Sequence, residues 1–522
     1  MDTLEHTKLG NALKIANVEN NPYFRTDENG VVHIRLQRFT ENNLPEPMDL
    51  ELTTGEIIAM AGDYFTQADW TGDLNLPHCE HFDSPSALGK YLISTPSTDK
   101  EELSFISAYN NLAAPDVTRK QIDRIYSINK TNYMPFSPTL NAYMQQIMLF
   151  LRVKNYGEMI TRNQTHFAPW SIKVYVLGHD IALRFAQLSY ELKQLAENKN
   201  FHSSNKDFKA IKQILKEQDP SPSPAALIDL AYRYQAQAYA MELFTFHYYT
   251  DHFATGHMSM VSDLRLVAQE RFGTLGSILA NNLHDELNRV GIYTNCPYDF
   301  TPQTKEPATP SRGDGKFNTC LNKFNRQHCF EGMTDSLDDL KAVLTGSAIP
   351  DQSHFGGLKK MPDVDFNVRQ HQPLMVYSQD KVYCRIHPSK INIISPSEYE
   401  KLRANPLEHG YKEVKNKWDA FLLVTKLRLF PYFYNGQVQP LTSTQKAEIK
   451  LEEKLRCPSR KAIPQPHCKP EAEPSVLDWR TRKELMDTLD GLHKHSVLQF
   501  KRKKHRHHEH RPEVDAKPSF SH

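Results

Sequence analysis

The chain has 522 residues, 39% of them hydrophobic and 24% charged, with a formal net charge of +1. Those values fit a globular protein with one large domain or two to three smaller ones. They argue against a nucleic-acid binder that works through a global positive field, and no run of roughly 18 apolar residues is present to cross a membrane. The seven Cys are widely spaced and form no CxxC pair, which speaks against a Cys-type zinc site. Met1 to His6 carry no basic stretch followed by an apolar run. The expectation is therefore a protein that stays in its cell, is already mature, or leaves by a route needing no N-terminal signal.

Residues 1–130 read as mixed. Val31 to Leu36 and Glu56 to Ala61 are short apolar or alternating runs bounded by turn residues, which predicts strands and places Asp63 at a strand end. From about residue 137 to 292 the pattern is helical. It predicts helices over Leu140 to Val153, Pro169 to Leu195, Phe208 to Glu217, Ala225 to Asp251 and Val267 to Val290. Pro169 sits where a helix start tolerates it, and Gly291 closes the last helix. Residues 293–370 are polar and rich in Pro, Gly, Asn and Asp, and predict loops with a short helix near Ser336 to Leu344. Leu374 to Tyr377 and Lys381 to Ile386 look like strands. The charged, Pro-rich remainder holds one amphipathic helix candidate, Arg480 to Leu492, before a basic run from Lys501 to His508. The expected division is a catalytic domain at 1–345, a small α+β accessory domain at 346–445, and a partly disordered tail at 446–522.

The densest chemical signal is His247-Tyr-Tyr-Thr-Asp251-His-Phe-Ala-Thr-Gly256-His257. Residues four apart share a helix face, so His247 and Asp251 can address one metal or two neighbouring ones, with Asp251 bridging. Gly256 lets the backbone turn so that His257 swings back. Imidazole and carboxylate suit zinc. A second element, His284-Asp-Glu286-Leu-Asn288, lies on the following helix, where His284 and Asn288 share a face. A third comprises His166, just before a helix, and His179 inside it. His179 lies among Val174, Leu177, Ile181 and Leu183, and a titratable group there needs a partner. His78 and His81 are further candidates.

His-x3-Asp-x5-His resembles the zinc signature of the bacterial phospholipase C/P1 nuclease fold, a mainly α fold in which helices hold three zinc ions. The wider wording resembles the branch of zinc phospholipases C found in pseudomonads and intracellular pathogens. Its marks are Ala-Gly-Asp63, His166-Phe167, His179, His247-x3-Asp251-x-Phe-Ala-x-Gly-His257 and His284-Asp-Glu, over residues 50–295. The resemblance implies a helical catalytic domain followed by a smaller β-containing region and a disordered basic tail. It implies that two to three zinc ions are held by Asp63, His166, His179, His247, Asp251, His257, His284 and Glu286. Glu286 comes from the resemblance, whereas helical spacing favours Asn288. The archetype uses its N-terminal Trp amine as a ligand. This chain begins with Met, and His179 is expected to substitute. That branch has an Arg where this chain has Ser259, with Arg265 further on.

The activity implied is metal-assisted hydrolysis of glycerophospholipids, phosphatidylcholine foremost, to diacylglycerol and a phosphorylated head group. Zinc activates a water for in-line attack, and Asp63 and Asp251 serve as catalytic carboxylates. The partner is a phospholipid membrane surface, with no nucleic acid and no transmembrane segment. The protein is expected to be secreted, or delivered into a host cell as a virulence effector, and peripheral at membranes. Two alternatives stand beside this: a single-strand nuclease of the same fold, and a non-catalytic scaffold that binds host membrane or protein. The absence of a Gly-x-Ser-x-Gly pattern favours the metal route.

Overall fold

The computed structural model describes residues 1–40, 44–66, 85–161, 163–298 and 308–456. His78, His81, the 480–492 helix candidate and the basic tail lie outside the described residues. Among the described residues helix accounts for 59% and strand for 12%, so the fold is mainly α, with small sheets. Among the described residues, those of 1–129 and of 149–456 cluster as one compact unit, and Lys130–Met148 fall in a second.

In the first part of the chain, helix α1 (Thr3–Asn11) precedes strands β1 (Phe24–Thr26), β2 (Val32–Phe39) and β3 (Pro45–Thr53), which run directly into α2 (Thr54–Met60). The strands form an antiparallel sheet in the order β1-β2-β3, with a bulge between Arg35 and Gln37. Helices α3 (Pro85–Ser94), α4 (Asp99–Leu112), α5 (Arg119–Lys130), α6 (Pro138–Arg152) and α7 (Tyr156–Thr161) follow.

The strand expected over 56–61 is instead the helix α2. Thr53 accepts from the Glu56 amide at 3.1 Å, and the Glu56 carboxylate accepts from the Thr53 amide at 3.0 Å. This reciprocal cap starts a helix. Every residue of α2 is buried, so no polar face was present to reveal a helical period.

Two 28-residue helices dominate the core, α8 (Trp170–Glu197) and α10 (Pro224–Asp251), with α9 (Lys206–Gln218) between them in sequence. Gly178 faces Thr245, His179 faces Glu242, and Ser189 bonds the carbonyl of Ala231, so the pair is antiparallel. Pro224 stands at the first turn of α10, and Ser223 caps it.

The helix expected over 267–290 is two helices, α11 (Ser259–Phe272) and α12 (Thr274–Val290). Gly273, at φ +63° and ψ −139°, breaks them, a conformation open essentially to glycine alone. Gly291 ends α12 at φ +81°. Helix α13 (Lys323–Leu344) is 22 residues long, far longer than the expected 336–344. Polar Asn325 and Ser336 lie on its buried face among Cys329, Met333 and Leu340, which masked the apolar stripe.

Strand β4 (Ile292–Asn295) pairs with both β5 (Thr309–Ser311) and β6 (Asp363–Val364). Next in the chain come β7 (Gln370–His371), β8 (Met375–Ser378), β9 (Lys381–Arg385), β10 (Lys390–Ile391) and β11 (Ile393–Ile394). Then come α14 (Pro396–Ala404), β12 (Tyr411–Glu413), α15 (Lys417–Leu429), α16 (Pro431–Tyr434), β13 (Gln437–Val438) and α17 (Ser443–Arg456). Strands β8, β9 and β12 form an antiparallel sheet in the order β12-β9-β8. Val382 and Cys384 of β9 join Leu264, Leu283 and Leu423 in one apolar cluster, so this C-terminal sheet packs onto α11, α12 and α15.

A Cβ at position 273 meets no atom within 4 Å, so Gly273→Ala tests backbone strain alone. It should destabilise the protein by about 1–3 kcal/mol in urea unfolding, whereas exposed Thr274→Ala should stay within about 0.5 kcal/mol.

Candidate metal centre

The C-terminal end of α10 meets the C-terminal end of α2, the N-terminal helix and the turns before α8 and α11. Asp251 is buried at their meeting point. Its Oδ2 lies 2.7 Å from His166 Nδ1 and 3.5 Å from His247 Nε2. Its Oδ1 lies 3.2 Å from His6 Nε2 and 4.0 Å from His257 Nδ1. The Met1 amine contacts the same Oδ1 and lies 2.8 Å from Asp314 Oδ1.

Among the described residues, three groups have the geometry to hold a metal ion: His6, His247 and Asp251; Asp63, His166 and His247, which shares His247 with the first; and His257, His284 and Asp314. Ligands about 2.0–2.2 Å from a tetrahedral zinc lie about 3.3–3.5 Å apart. His166 Nδ1 and His247 Nε2 are 3.3 Å apart, and Asp63 reaches within 4.0 Å of each. His284 Nε2 lies 3.0 Å from Asp314 Oδ2. His6 Nε2 is buried and makes no hydrogen bond. An imidazole nitrogen left so among carboxylates is a ligand atom in waiting.

Each ring is aimed by what its other nitrogen does. His247 donates from Nδ1 to the Ile58 carbonyl at 2.8 Å, which turns Nε2 to the centre. His257 donates from Nδ1 to the Asp251 carbonyl at 3.1 Å. His284 Nδ1 lies 3.0 Å from Asp285. His6 bonds Thr250 at 2.9 Å and stacks on His247, with ring centroids 4.5 Å apart.

Two glycines leave the room. A Cβ on Gly62, at φ +33°, would stand 2.3 Å from His247 Nε2 and 2.6 Å from His166 Cε1. A Cβ on Gly256 would meet His284 Cδ2 at 2.5 Å. Glu5 serves twice. It completes the reciprocal cap of α1 with Asp2, and it accepts from the amides of Gly315 and Phe317, fixing the loop that carries Asp314.

Burial pushes His247 and His257 well below the ordinary imidazole range, despite the attraction of Asp251. Both rings are thus held neutral, the form that binds metal. Burial would raise Asp251, but the Met1 amine, helped by the hydrogen bond with His166, holds it well below the usual carboxylate range. Asp314 is likewise held low by the amine and His284 against the pull of burial. Burial raises Asp63, whose side chain is 28% exposed, close to the 25% of Asp314.

Six expected residues therefore converge: Asp63, His166, His247, Asp251, His257 and His284. Two do not. His179 is buried between α8, α10 and α13, with Nδ1 2.9 Å from Glu242 and Nε2 3.5 Å from Asp339. Ser336 donates to Glu242 at 2.6 Å, and Tyr175 bonds Ser336 at 2.8 Å. Glu242 stands nine residues before Asp251 on α10, roughly 13 Å along the axis. His179 is tied there. Glu286 leaves α12 on the side away from His284 and forms a buried ion pair with Arg385 at 2.5 Å. Asn288, on the His284 face, donates to His284 Nε2 at 3.2 Å and accepts from the Gly256 amide at 2.5 Å. Ser259 donates to Asp363, and buried Arg265 lies over the Phe167 ring. His6, Asp314 and the Met1 amine join the cluster without having been singled out in the sequence. The cap pattern Asp2-x-x-Glu5 was a signal for the helix that carries His6.

No protein-family model, curated protein or solved structure matches the chain. No helix among the described residues is long and apolar enough to cross a membrane.

Gly62→Ala should remove at least one bound zinc per chain relative to wild type, as read by metal analysis of zinc-loaded, dialysed protein. For His179, burial favours the neutral ring, but Glu242 and Asp339 outweigh it and raise the pKa to about 9. Its contribution to stability is full below the unfolded value of about 6.5 and is lost as pH rises through about 9. Urea unfolding under chelator between pH 6 and 9.5 should show a loss on the order of 3 kcal/mol, and His179→Gln should lack that component.

Proposed function

We propose that the protein is a zinc-dependent phospholipase C acting on glycerophospholipids, phosphatidylcholine foremost. The observation that carries the reading is that Asp251 has a member of each candidate ligand group within 4.0 Å, namely His6 and His247, His166, and His257, with Asp63 partly exposed beside them. Their donors are imidazole and carboxylate, the set that zinc takes. The resemblance places an N-terminal amine in the cluster, and the Met1 amine lies between Asp251 and Asp314. The chain's net charge of +1 offers no broad field for a polynucleotide.

Zinc would be held by His6, His247 and Asp251, by Asp63 and His166, and by His257, His284 and Asp314. When bound, it supplies charge for the phosphodiester oxygens and lowers the pKa of a water. The chain's own residues set the rest. Neutral His247 and His257 keep their free nitrogens toward the centre. Asp63, raised by burial and open to solvent, accepts the proton of the attacking water at its carboxylate. The buried walls, Phe167 beside His257 and Tyr248 beside His166, keep water away from the back of the cluster. The lipid leaves as diacylglycerol, and the head group departs with its phosphate.

Phosphocholine release from phosphatidylcholine vesicles should vanish with chelator, return with zinc, and be lost in Asp251→Ala. No release with any metal rejects this substrate. Zinc-dependent cutting of single-stranded nucleic acid by the same preparation would replace the reading with a nuclease.

A further inference from the structure

Helix α15 is apolar on two sides. Ala420, Leu423 and Leu427 point inward and join the cluster around Leu279, Leu283 and Leu287 of α12. A surface helix normally turns a polar face outward. Here the outward face carries Trp418, Phe421, Leu422 and Leu429, with Trp418 and Leu429 each 65% exposed, and Phe430 extends the patch past the helix end. The Trp418 and Phe421 rings stack, with centroids 5.4 Å apart and planes 24° from parallel.

Charge surrounds this face on one sign. Residues 411–434 contain five Lys or Arg, namely Lys412, Lys415, Lys417, Lys426 and Arg428, against Glu413 and Asp419, a net of +3. That exceeds the net charge of the entire chain. Lys415, Lys417 and Lys426 are exposed around the patch. The two acids are turned to internal tasks. Asp419 accepts from the Lys415 amide at 3.1 Å, and Glu413 lies 3.9 Å from Arg271 and 4.0 Å from Lys381.

Aromatic rings flanked by lysines are the makeup of a surface that enters the headgroup zone of a bilayer, where the ring bodies are buried and the ammonium groups stay with anionic lipid. A protein partner would select differently, because interface cores keep aromatic residues and Arg but lose Lys.

The patch is also tied to the metal centre. Arg428, in the last turn of α15, lies 3.6 Å from Asp285, and Asp285 lies 3.0 Å from His284. The face thus starts two side chains away from a ligand of the third metal group.

We propose that the Trp418–Phe421–Leu422–Leu429 face of α15, with its flanking lysines, docks the protein on anionic phospholipid surfaces and so brings the metal centre to the headgroup layer. The proposal rests on the phospholipase reading for its purpose, but its binding step stands apart from catalysis.

The test uses the full zinc-loaded chain and sedimentable vesicles of phosphatidylcholine with and without phosphatidylserine. Wild type should bind the mixed vesicles more tightly than phosphatidylcholine alone, and added salt should weaken the binding. Trp418→Ser/Phe421→Ser should lose at least tenfold in binding. Lys415→Gln/Lys417→Gln should lose binding by roughly fivefold per charge on mixed vesicles only. Quenching of tryptophan fluorescence by brominated lipid should disappear in Trp418→Phe. The variants should retain wild-type hydrolysis of the water-soluble p-nitrophenyl ester of phosphocholine. Equal binding by wild type and the Trp418/Phe421 variant overturns the docking face. So does wild-type self-association that the same variant abolishes, which would assign the face to a second copy. If no ester is cleaved but Trp418-dependent vesicle binding persists, the docking face stands and the phospholipase reading falls.

Discussion

A carboxylate removed from water must be met by cations or donors on every side. Asp251 imposes that demand at the end of a 28-residue helix. The Met1 amine and His166 answer it directly, and the rings of His6, His247 and His257 gather round it, drawn from α1, α10 itself and the turn before α11. The arrangement of the N-terminal half follows. Helix α1 must lie on α2, where Thr54 bonds the Gly10 carbonyl and Gly55 bonds the Asn11 side chain, because only there does His6 reach Thr250 and Asp251.

The same rule operates a second time on α10, with another outcome. Glu242 is equally buried, but its partners are a single imidazole and hydroxyl groups, His179 and Ser336 with Tyr175 behind. That network ties α8, α10 and α13 together and is closed on itself. The Asp251 network instead keeps ligand nitrogens turned inward, with Asp63 and Asp314 partly exposed. His252 shows how narrow the difference is. One residue after Asp251, it bonds Ser171 at 2.6 Å and the Pro362 carbonyl at 2.7 Å, and burial lowers it to about 4. It is a packing histidine.

What could be read in the sequence follows the range of the signal. His247 and Asp251 are local to one helix face, and His257 follows a glycine turn, so spacing alone brings them together. The long helices α8 and α10 were legible from their periodicity, and Pro169 marked the start of α8. Helix α2 was not, because it is buried all round. Asp314 sits in Gly313-Asp-Gly315, which reads as a turn, and only the contact of that loop with Glu5 takes it to the site. His6 had no apolar or polar pattern to mark it. His179 looked like a ligand because Glu242, sixty-three residues later, is invisible from its own helix. Glu286 stands two residues from His284, which on a helix is nearly the opposite side, and Arg385 on β9 was waiting there.

The ligands are scattered from His6 to Asp314, across more than three hundred residues. A chain leaving the ribosome has only isolated imidazoles until the helix ending at Asp251 has emerged, and the third group is complete only when the loop after β5 arrives. A metal bound there would be captured only late in assembly. It would need both ends of the stretch from His6 to Asp314 to be docked first, so no shorter fragment would present the full set of donors, and an unfolded chain would travel without the ion.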